Sequence, residues 1–311
     1  MTILVCGEAL YDLFQIAEPE PGRLSLDARV GGSPFNVAVG IARLGGAAAL
    51  LTGISRDLLG QRLMARLEDE GVGTGYLVRS GRRTTLSLVG LDAQGSPDYA
   101  FYGVGSADVA LETTDMPNLT PTVQAMHFGS YSIAMEPAAD AFASLAEQTR
   151  DRFISLDPNV RPTIEPDMAV WRSRIDALRR RCNLIKVSAE DLGMLYSDTD
   201  PAEIAQNWLE DGVELVIVTD GGKSVRAWRK DTVQSLAPDP IDVVDTVGAG
   251  DSFQAAVLAG LQARGRMAVD PDALPVPDLK RLLARASRAA AITCTRRGAE
   301  LPTITDLETV G

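Results

Sequence analysis

Short apolar runs punctuate the chain, and amphipathic stretches fill most of the gaps between them. Residues 3–8 (ILVCGE), 48–54 (AALLTGI), 123–129 (VQAMHFG), 153–157 (FISLD), 183–188 (NLIKVS) and 214–220 (ELVIVTD) have the length and continuous apolarity of strands buried on both faces. Helical periodicity fills 34–45 (PFNVAVGIARLG), 58–71 (LLGQRLMARLEDEG), 138–151 (AADAFASLAEQTRD) and 169–182 (AVWRSRIDALRRRC). Strands alternating with helices of this length predict an α/β fold with a mostly parallel sheet covered on both faces. Two stretches break the rhythm. Residues 13–30, around EPEPGR, and 84–102 (TTLSLVGLDAQGSPDYAFY) alternate polar and apolar positions, and the second predicts a hairpin turning over residues 92–97. They predict a small β appendage on one large α/β domain.

Composition narrows the function classes. At 311 residues the chain can bury a large core, and its net charge of −12 argues against a nucleic-acid binder, which needs Lys and Arg to neutralise phosphates. Acidic Glu8 and Asp12 fall too early for a signal peptide, and no apolar run approaches the ~18 residues of a membrane span. Cys6, Cys182 and Cys294 are far apart and odd in number, which predicts free thiols. These features together predict a cytoplasmic location and no membrane partner. The single histidine, His127, lies in an apolar strand and predicts a core residue rather than a base.

The chemistry concentrates late in the chain, in DTVGAGD (residues 245–251), just before an amphipathic run at 252–263. A glycine-rich turn opening a helix presents backbone N–H groups and the positive end of the helix dipole, so Gly248, Ala249 and Gly250 predict an anion hole. Other phosphate motifs fail. GGKS at 221–224 lacks the earlier P-loop glycine, whose place Ile217 takes, and a dinucleotide fingerprint starting at Gly248 breaks at Phe253. Asp251, beside an anion hole, reads either as an ordinary helix-start acid or as a general base that strips a proton from an acceptor hydroxyl during phosphoryl transfer.

Two signatures resolve that choice. Asp245, Thr246, Gly248, Ala249, Gly250, Asp251 and Phe253 match D-T-x-G-A-G-D-x-F; Gly31, Gly32, Asn36 and Ala38, with the later Leu44, Gly45 and Gly46, match G-G-x-x-x-N-x-A and L-G-G. The chain resembles the ribokinase-like (PfkB-type) carbohydrate kinases over nearly its whole length. Segments such as GEALYDLF, DPNVRP and KVSAEDL are similar to the fructokinase branch. The resemblance implies one ribokinase-like kinase domain over 1–311, with a β lid built from about 12–31 and 84–103. It also implies ATP-dependent phosphorylation of the primary hydroxyl of fructose. Asp251 would be the base, the backbone of Gly248, Ala249 and Gly250 the anion hole, and Arg161 a guanidinium near substrate or phosphate; residues alone leave Arg161 equally readable as a surface ion pair.

For the sugar the resemblance implies Asp12, Gly31, Gly32 and Asn36, although without it the diglycine reads as a turn and Asn36 as a helix-start residue. For ATP it implies Lys186, Thr219, Gly221 and Gly222, expected at the carboxyl ends of strands. Mg²⁺ is implied near Asp191 or its neighbour Glu190, where the family's N-x-x-E is replaced by residues 188–191. Some members hold K⁺ where Asp245 and the Val247 carbonyl fall here, and some pair through their lids as homodimers. A frequent C-terminal Asn is Thr293, with an expected effect around adenine. Alternatives are a same-family kinase for 2-keto-3-deoxygluconate, ribose or a nucleoside, and a non-catalytic sugar-sensing protein.

Overall fold

The computed structural model describes residues 1–15, 22–91, 97–230 and 232–309. The chain begins with β1 (Thr2–Cys6), followed by the antiparallel pair β2 (Leu10–Gln15) and β3 (Leu26–Gly31). Helix α1 (Ser33–Arg43) returns to β4 (Ala48–Leu51), and β5 (Gly53–Ser55), α2 (Leu58–Asp69) and β6 (Val78–Ser80) follow. Next come β7 (Thr85–Leu91) and β8 (Pro97–Tyr102), again antiparallel. The chain then alternates regularly: β9 (Val123–Gly129), α3 (Ala138–Gln148), β10 (Phe153–Asp157), α4 (Met168–Arg179), β11 (Leu184–Ser188), α5 (Ala189–Leu195), α6 (Pro201–Glu210) and β12 (Leu215–Asp220). Strands β13 (Ser224–Arg229) and β14 (Thr232–Leu236) precede helices α7 (Ala249–Ala263), α8 (Val276–Cys294) and α9 (Ile304–Glu308).

Eight strands form the main sheet in the order β14-β13-β12-β11-β10-β9-β1-β4, parallel from β12 to β4, with β13 and β14 added antiparallel. Its central strands are buried at nearly every position because both faces are covered. In β1 the period-two alternation sends Ile3 and Val5 to one core and Leu4 and Cys6 to the other. The first core is filled from α1, α2, α7 and α8 (Val37, Leu63, Leu258, Leu283), the second from α3, α4 and α6 (Phe142, Trp171, Trp208). His127 lies buried in β9 with Nδ1 3.2 Å from Ser155 Oγ, and burial together with the Lys186 charge lowers its pKa to about 3. It is a core residue, as the sequence predicts. All three cysteines are free.

The two irregular stretches build a separate four-stranded sheet, β3-β2-β7-β8. Of the turn expected at 92–97, residues 92–96 lie outside the described residues, and Pro97 belongs to β8 rather than to the turn. A second correction concerns 48–54. This run breaks at Thr52: β4 stays in the main sheet, while β5 pairs in parallel with β6 as a two-stranded sheet. Continuous apolarity hid the break because both halves are buried. Among the described residues no helix is long and apolar enough to cross a membrane.

Candidate active site

The chemistry-bearing residues gather where the parallel strands β1, β10 and β11 end, as open α/β sheets favour. The first component is the start of α7. Gly248 sits in the left-handed region at φ 78°, and a Cβ there would meet Ala299 Cβ at 2.7 Å, so only glycine fits both the turn and the space. Asp245 braces the approach: Oδ1 accepts the Val247 N–H at 3.0 Å and Oδ2 accepts the Gly298 N–H at 2.7 Å. The Ala249 N–H turns back to the Thr246 carbonyl at 3.2 Å, and the Ser252 N–H donates to the Gly248 carbonyl at 2.9 Å. Among the described residues nothing accepts from the Gly250 and Asp251 N–H groups. Of the expected Gly248, Ala249 and Gly250 donors only Ala249 is satisfied internally, and the free N–H groups carry the partial positive charge of an uncapped helix end.

Asp251, in the first turn of α7, is buried. Its Oδ1 accepts from Ser33 Oγ at 2.6 Å and its Oδ2 from Asn36 Nδ2 at 2.8 Å. Neither oxygen caps its own helix: Asp251 is a first-turn acid of α7 whose carboxylate is held from another helix. Both donors come from the first turn of α1. That helix starts after Gly32, at φ 103°, where a Cβ would stand 2.8 Å from the Glu8 carbonyl oxygen. Gly32 supplies no side-chain cap, and the Ser33 N–H donates instead to Glu8 Oε1 at 3.2 Å. Burial raises the Glu8 pKa to about 7, with the Ser130 and Ser132 hydroxyls offsetting part of the shift and Asp108 adding to it.

Asp12 reaches the same region from β2. A Cβ on Gly31 would come within 2.1 Å of Asp12 Oδ2, so the first glycine of the pair makes room for this acid. Burial raises the Asp12 pKa to about 6; a Ser87 hydrogen bond and the Arg161 charge pull it back, and the Asp251 charge pushes it up. Arg161 is exposed, with Nη1 donating to the carbonyls of Asn159 (3.2 Å) and Val160 (3.0 Å).

Lys186 lies two residues before the carboxyl end of its strand. It lies inside β11, buried, with Nζ donating to Asp157 Oδ2 at 2.8 Å. A Cβ on Gly250 would stand 3.0 Å from that ammonium, so the lysine touches the first turn of α7. Burial pushes the ammonium pKa down, but Asp157, Asp191 and Asp251 outweigh it and hold it above the ordinary lysine value. Burial likewise pushes Asp157 up, with Lys186 offsetting part of the shift, and Asp157 Oδ1 is buried without a hydrogen-bond partner.

Of the two acids considered for Mg²⁺, Asp191 is buried beside this pair, and Glu190 is exposed. Asp191 closes a capping box on α5 and also accepts the Val160 N–H at 3.0 Å. Among the described residues no group of three acids, histidines or cysteines could hold a metal. Such a site suits a cation carried mainly by phosphate oxygens and water, which needs only one or two carboxylates. Thr219 is the penultimate residue of β12, beside the exposed turn of Gly221 and Gly222, closed by the Lys223 N–H to the Asp220 carbonyl at 2.8 Å. No hydrogen bond among the described residues joins that turn to the Asp251 cluster. Thr293 is buried and ties α8 to α7 through Ser252 Oγ at 2.6 Å.

Sequence reasoning missed Ser33, Glu8 and Asp157. Asp157 carried a readable signal: an acid ends one wholly apolar strand, and a lysine lies inside the next. Ser33 had a weaker one, its place between the diglycine and Asn36.

The model of the pfkB family of carbohydrate kinases matches residues 2–306. A fructokinase from Klebsiella pneumoniae is 34% identical over 314 residues, covering 98% of this chain and 98% of the relative. One from Rhizobium leguminosarum bv. trifolii is 34% identical over 261 residues, covering 84% of this chain and 79% of its own. Among solved structures, the fructokinase of Xylella fastidiosa with bound ATP superposes with a TM-score of 0.88 at 25% identity, covering 99% of this chain and 97% of that one. With the family model spanning both signatures and all three sheets, the chain belongs to the pfkB family of carbohydrate kinases.

Proposed function

We propose that this carbohydrate kinase transfers the terminal phosphoryl group of ATP to the primary hydroxyl of fructose, giving fructose 6-phosphate and ADP. The observation that carries the proposal is Asp251: a buried carboxylate, held by two donors from another helix, at a helix end whose first free N–H groups have no acceptor. Each carboxylate oxygen keeps a second lone-pair direction after accepting from Ser33 or Asn36, so the acid is oriented and still able to take a proton. As the sugar oxygen attacks the terminal phosphorus, Asp251 takes its proton and the bond to the ADP oxygen breaks. The Gly250 and Asp251 N–H groups, with the Lys186 ammonium below them, stabilise charge on the transferring group.

Asp12, Asn36 and the space cleared by Gly31 and Gly32 form the sugar side, with Arg161 above Asp12. Thr219, Gly221 and Gly222 form the nucleotide side; the open space around both glycines favours close approach of a ligand. ATP brings Mg²⁺, which Asp191 would hold through water, and the ion neutralises charge on the phosphate oxygens. Asp245 and the Val247 carbonyl are the place for a monovalent cation, since their loop runs straight into the anion hole. The whole chain works as one kinase domain, and the four-stranded sheet covers the sugar and excludes water.

The similarity to fructokinases across the chain favours fructose over other acceptors. An ADP-release assay with a panel of sugars tests this. Fructose should give the highest kcat/KM. Preference for ribose, 2-keto-3-deoxygluconate or a nucleoside would overturn the substrate, and no turnover with any acceptor would favour a sugar sensor.

A further inference from the structure

Glu8 is buried at the end of β1 and stays outside the chemistry described above, yet one of its oxygens meets the machinery. Its Oε1 accepts the N–H of Ser33, the first residue of α1, at 3.2 Å. Helix α1 needs that acceptor from elsewhere, because its own cap position is Gly32, which has no side chain to offer. The helix end so capped carries Ser33 and Asn36, whose side chains make both hydrogen bonds to Asp251. Contacts therefore run from Glu8 through the Ser33 backbone and hydroxyl to the carboxylate. The packing is tight along this line: a Cβ on Gly7 would strike Pro34 Cγ at 2.3 Å, and Ser132 Oγ lies on the other side at 2.6 Å. Asp108 and Tyr131 are the titratable groups facing Glu8, both buried, with the Tyr131 hydroxyl donating to Asp108 Oδ2 at 2.5 Å.

We propose that Glu8 is a positioning residue for phosphoryl transfer: as the remote cap of α1 it fixes the Ser33 and Asn36 donors that aim Asp251. The role requires an acceptor oxygen at this place, not a negative charge. A shift of the α1 end by a fraction of an ångström would move the base relative to the sugar hydroxyl. Misplacements of about 1 Å can lower turnover by about 100-fold. The proposal rests on Asp251 being the base.

The test compares turnover with fructose and ATP in Glu8→Met, Glu8→Gln, Ser33→Ala, the double variant Glu8→Met/Ser33→Ala, and Asp251→Asn. Methionine preserves bulk and removes the acceptor; glutamine restores a neutral acceptor of the same shape. Glu8→Met should lower kcat by roughly 10- to 100-fold while KM for fructose changes by less than about threefold. Glu8→Gln should recover most of that loss. In the double variant the two losses should not multiply, because both act on one contact line. Glutamine as damaging as methionine, or fully multiplicative losses, would overturn the positioning role. If Glu8→Met fails to fold, Glu8→Gln against Ser33→Ala decides: a glutamine loss equal to or larger than the serine loss, in a folded protein, overturns the role. Near-normal turnover in Asp251→Asn overturns the base reading and the Glu8 role with it, whereas loss in Asp251→Asn beside normal turnover in Glu8→Met overturns the Glu8 role alone.

Discussion

Helices α1 and α7 begin alike and end up with opposite fates. Each follows a glycine in a positive-φ conformation, Gly32 at 103° and Gly248 at 78°, and neither glycine can cap its helix with a side chain. At α1 the protein closes the end itself, with the buried carboxyl of Glu8 on the Ser33 N–H. At α7 the Gly250 and Asp251 N–H groups stay without an acceptor among the described residues, and the Lys186 ammonium stands 3.0 Å from where a Gly250 Cβ would be. The closed end is tied down by the protein, and the open end keeps its donors unused. Gly250 is exposed, and unpaired N–H groups at a helix start beside a cation have the chemistry that suits an anion. Asp251 joins the two ends, rooted in the open helix and held by the closed one.

The largest expected effect comes from that joint. Asp251→Asn keeps the shape of the side chain and removes its basicity, so turnover should fall roughly 10²- to 10⁴-fold, read as kcat, with little change in fructose KM. Unchanged turnover would reduce Asp251 to a tie between helices.

Next comes the charge beneath the open end. Lys186→Met leaves Asp157 buried without its partner, and removing one member of a buried pair typically destabilises by about 3–5 kcal/mol. Chemical denaturation should show this loss, together with a raised KM for ATP. A loss under about 1 kcal/mol would mean that Asp157 protonates at little cost and the pair contributes little.

The closed end should reveal itself through pH. Glu8 has a pKa of about 7 in the folded chain against 4.5 for the free group. Its folded-state pKa is raised, so its contribution is fully present below about pH 4.5 and is lost as pH rises through about 7. The total is on the order of 3 kcal/mol. Across that window the wild-type protein should lose stability relative to Glu8→Gln, as followed by Tm at successive pH values. A constant difference between the two proteins would show that Glu8 titrates normally.

The smallest effects separate the two glycines. Gly32→Ala and Gly248→Ala both force a residue into a strained backbone, at about 1–3 kcal/mol each, before the contacts with the Glu8 carbonyl and Ala299 are counted. Thermal unfolding should show comparable losses, and Gly248→Ala should also raise the KM for ATP because it distorts the open end. Equal KM values in the two variants would remove the distinction drawn between the helix ends.

What was legible in the sequence follows the range of the contacts. The alternation of apolar runs and helices gave the main sheet, and the glycine-rich turn gave the α7 end, because both are written in neighbouring residues. Asp251 was visible as an acid beside an anion hole, but not the two donors holding it, which lie 215 and 218 positions away. Lys186 was noticed but not its partner, a buried Asp157 on the neighbouring strand. Glu8 stayed silent because a helix cap is sought one residue before the helix, and this one arrives from 25 residues upstream. That the Ala249 N–H is taken up internally was also unreadable, since it turns on a single 3.2 Å bond to Thr246.

A structure of the protein with fructose and a non-hydrolysable ATP analogue tests the central claim most directly. The account expects the primary hydroxyl of fructose within hydrogen-bonding reach of Asp251, about 2.6–3.2 Å, and a terminal phosphate oxygen on the Gly250 and Asp251 N–H groups. A complex with that hydroxyl beside another base, and the phosphate away from the start of α7, would contradict it.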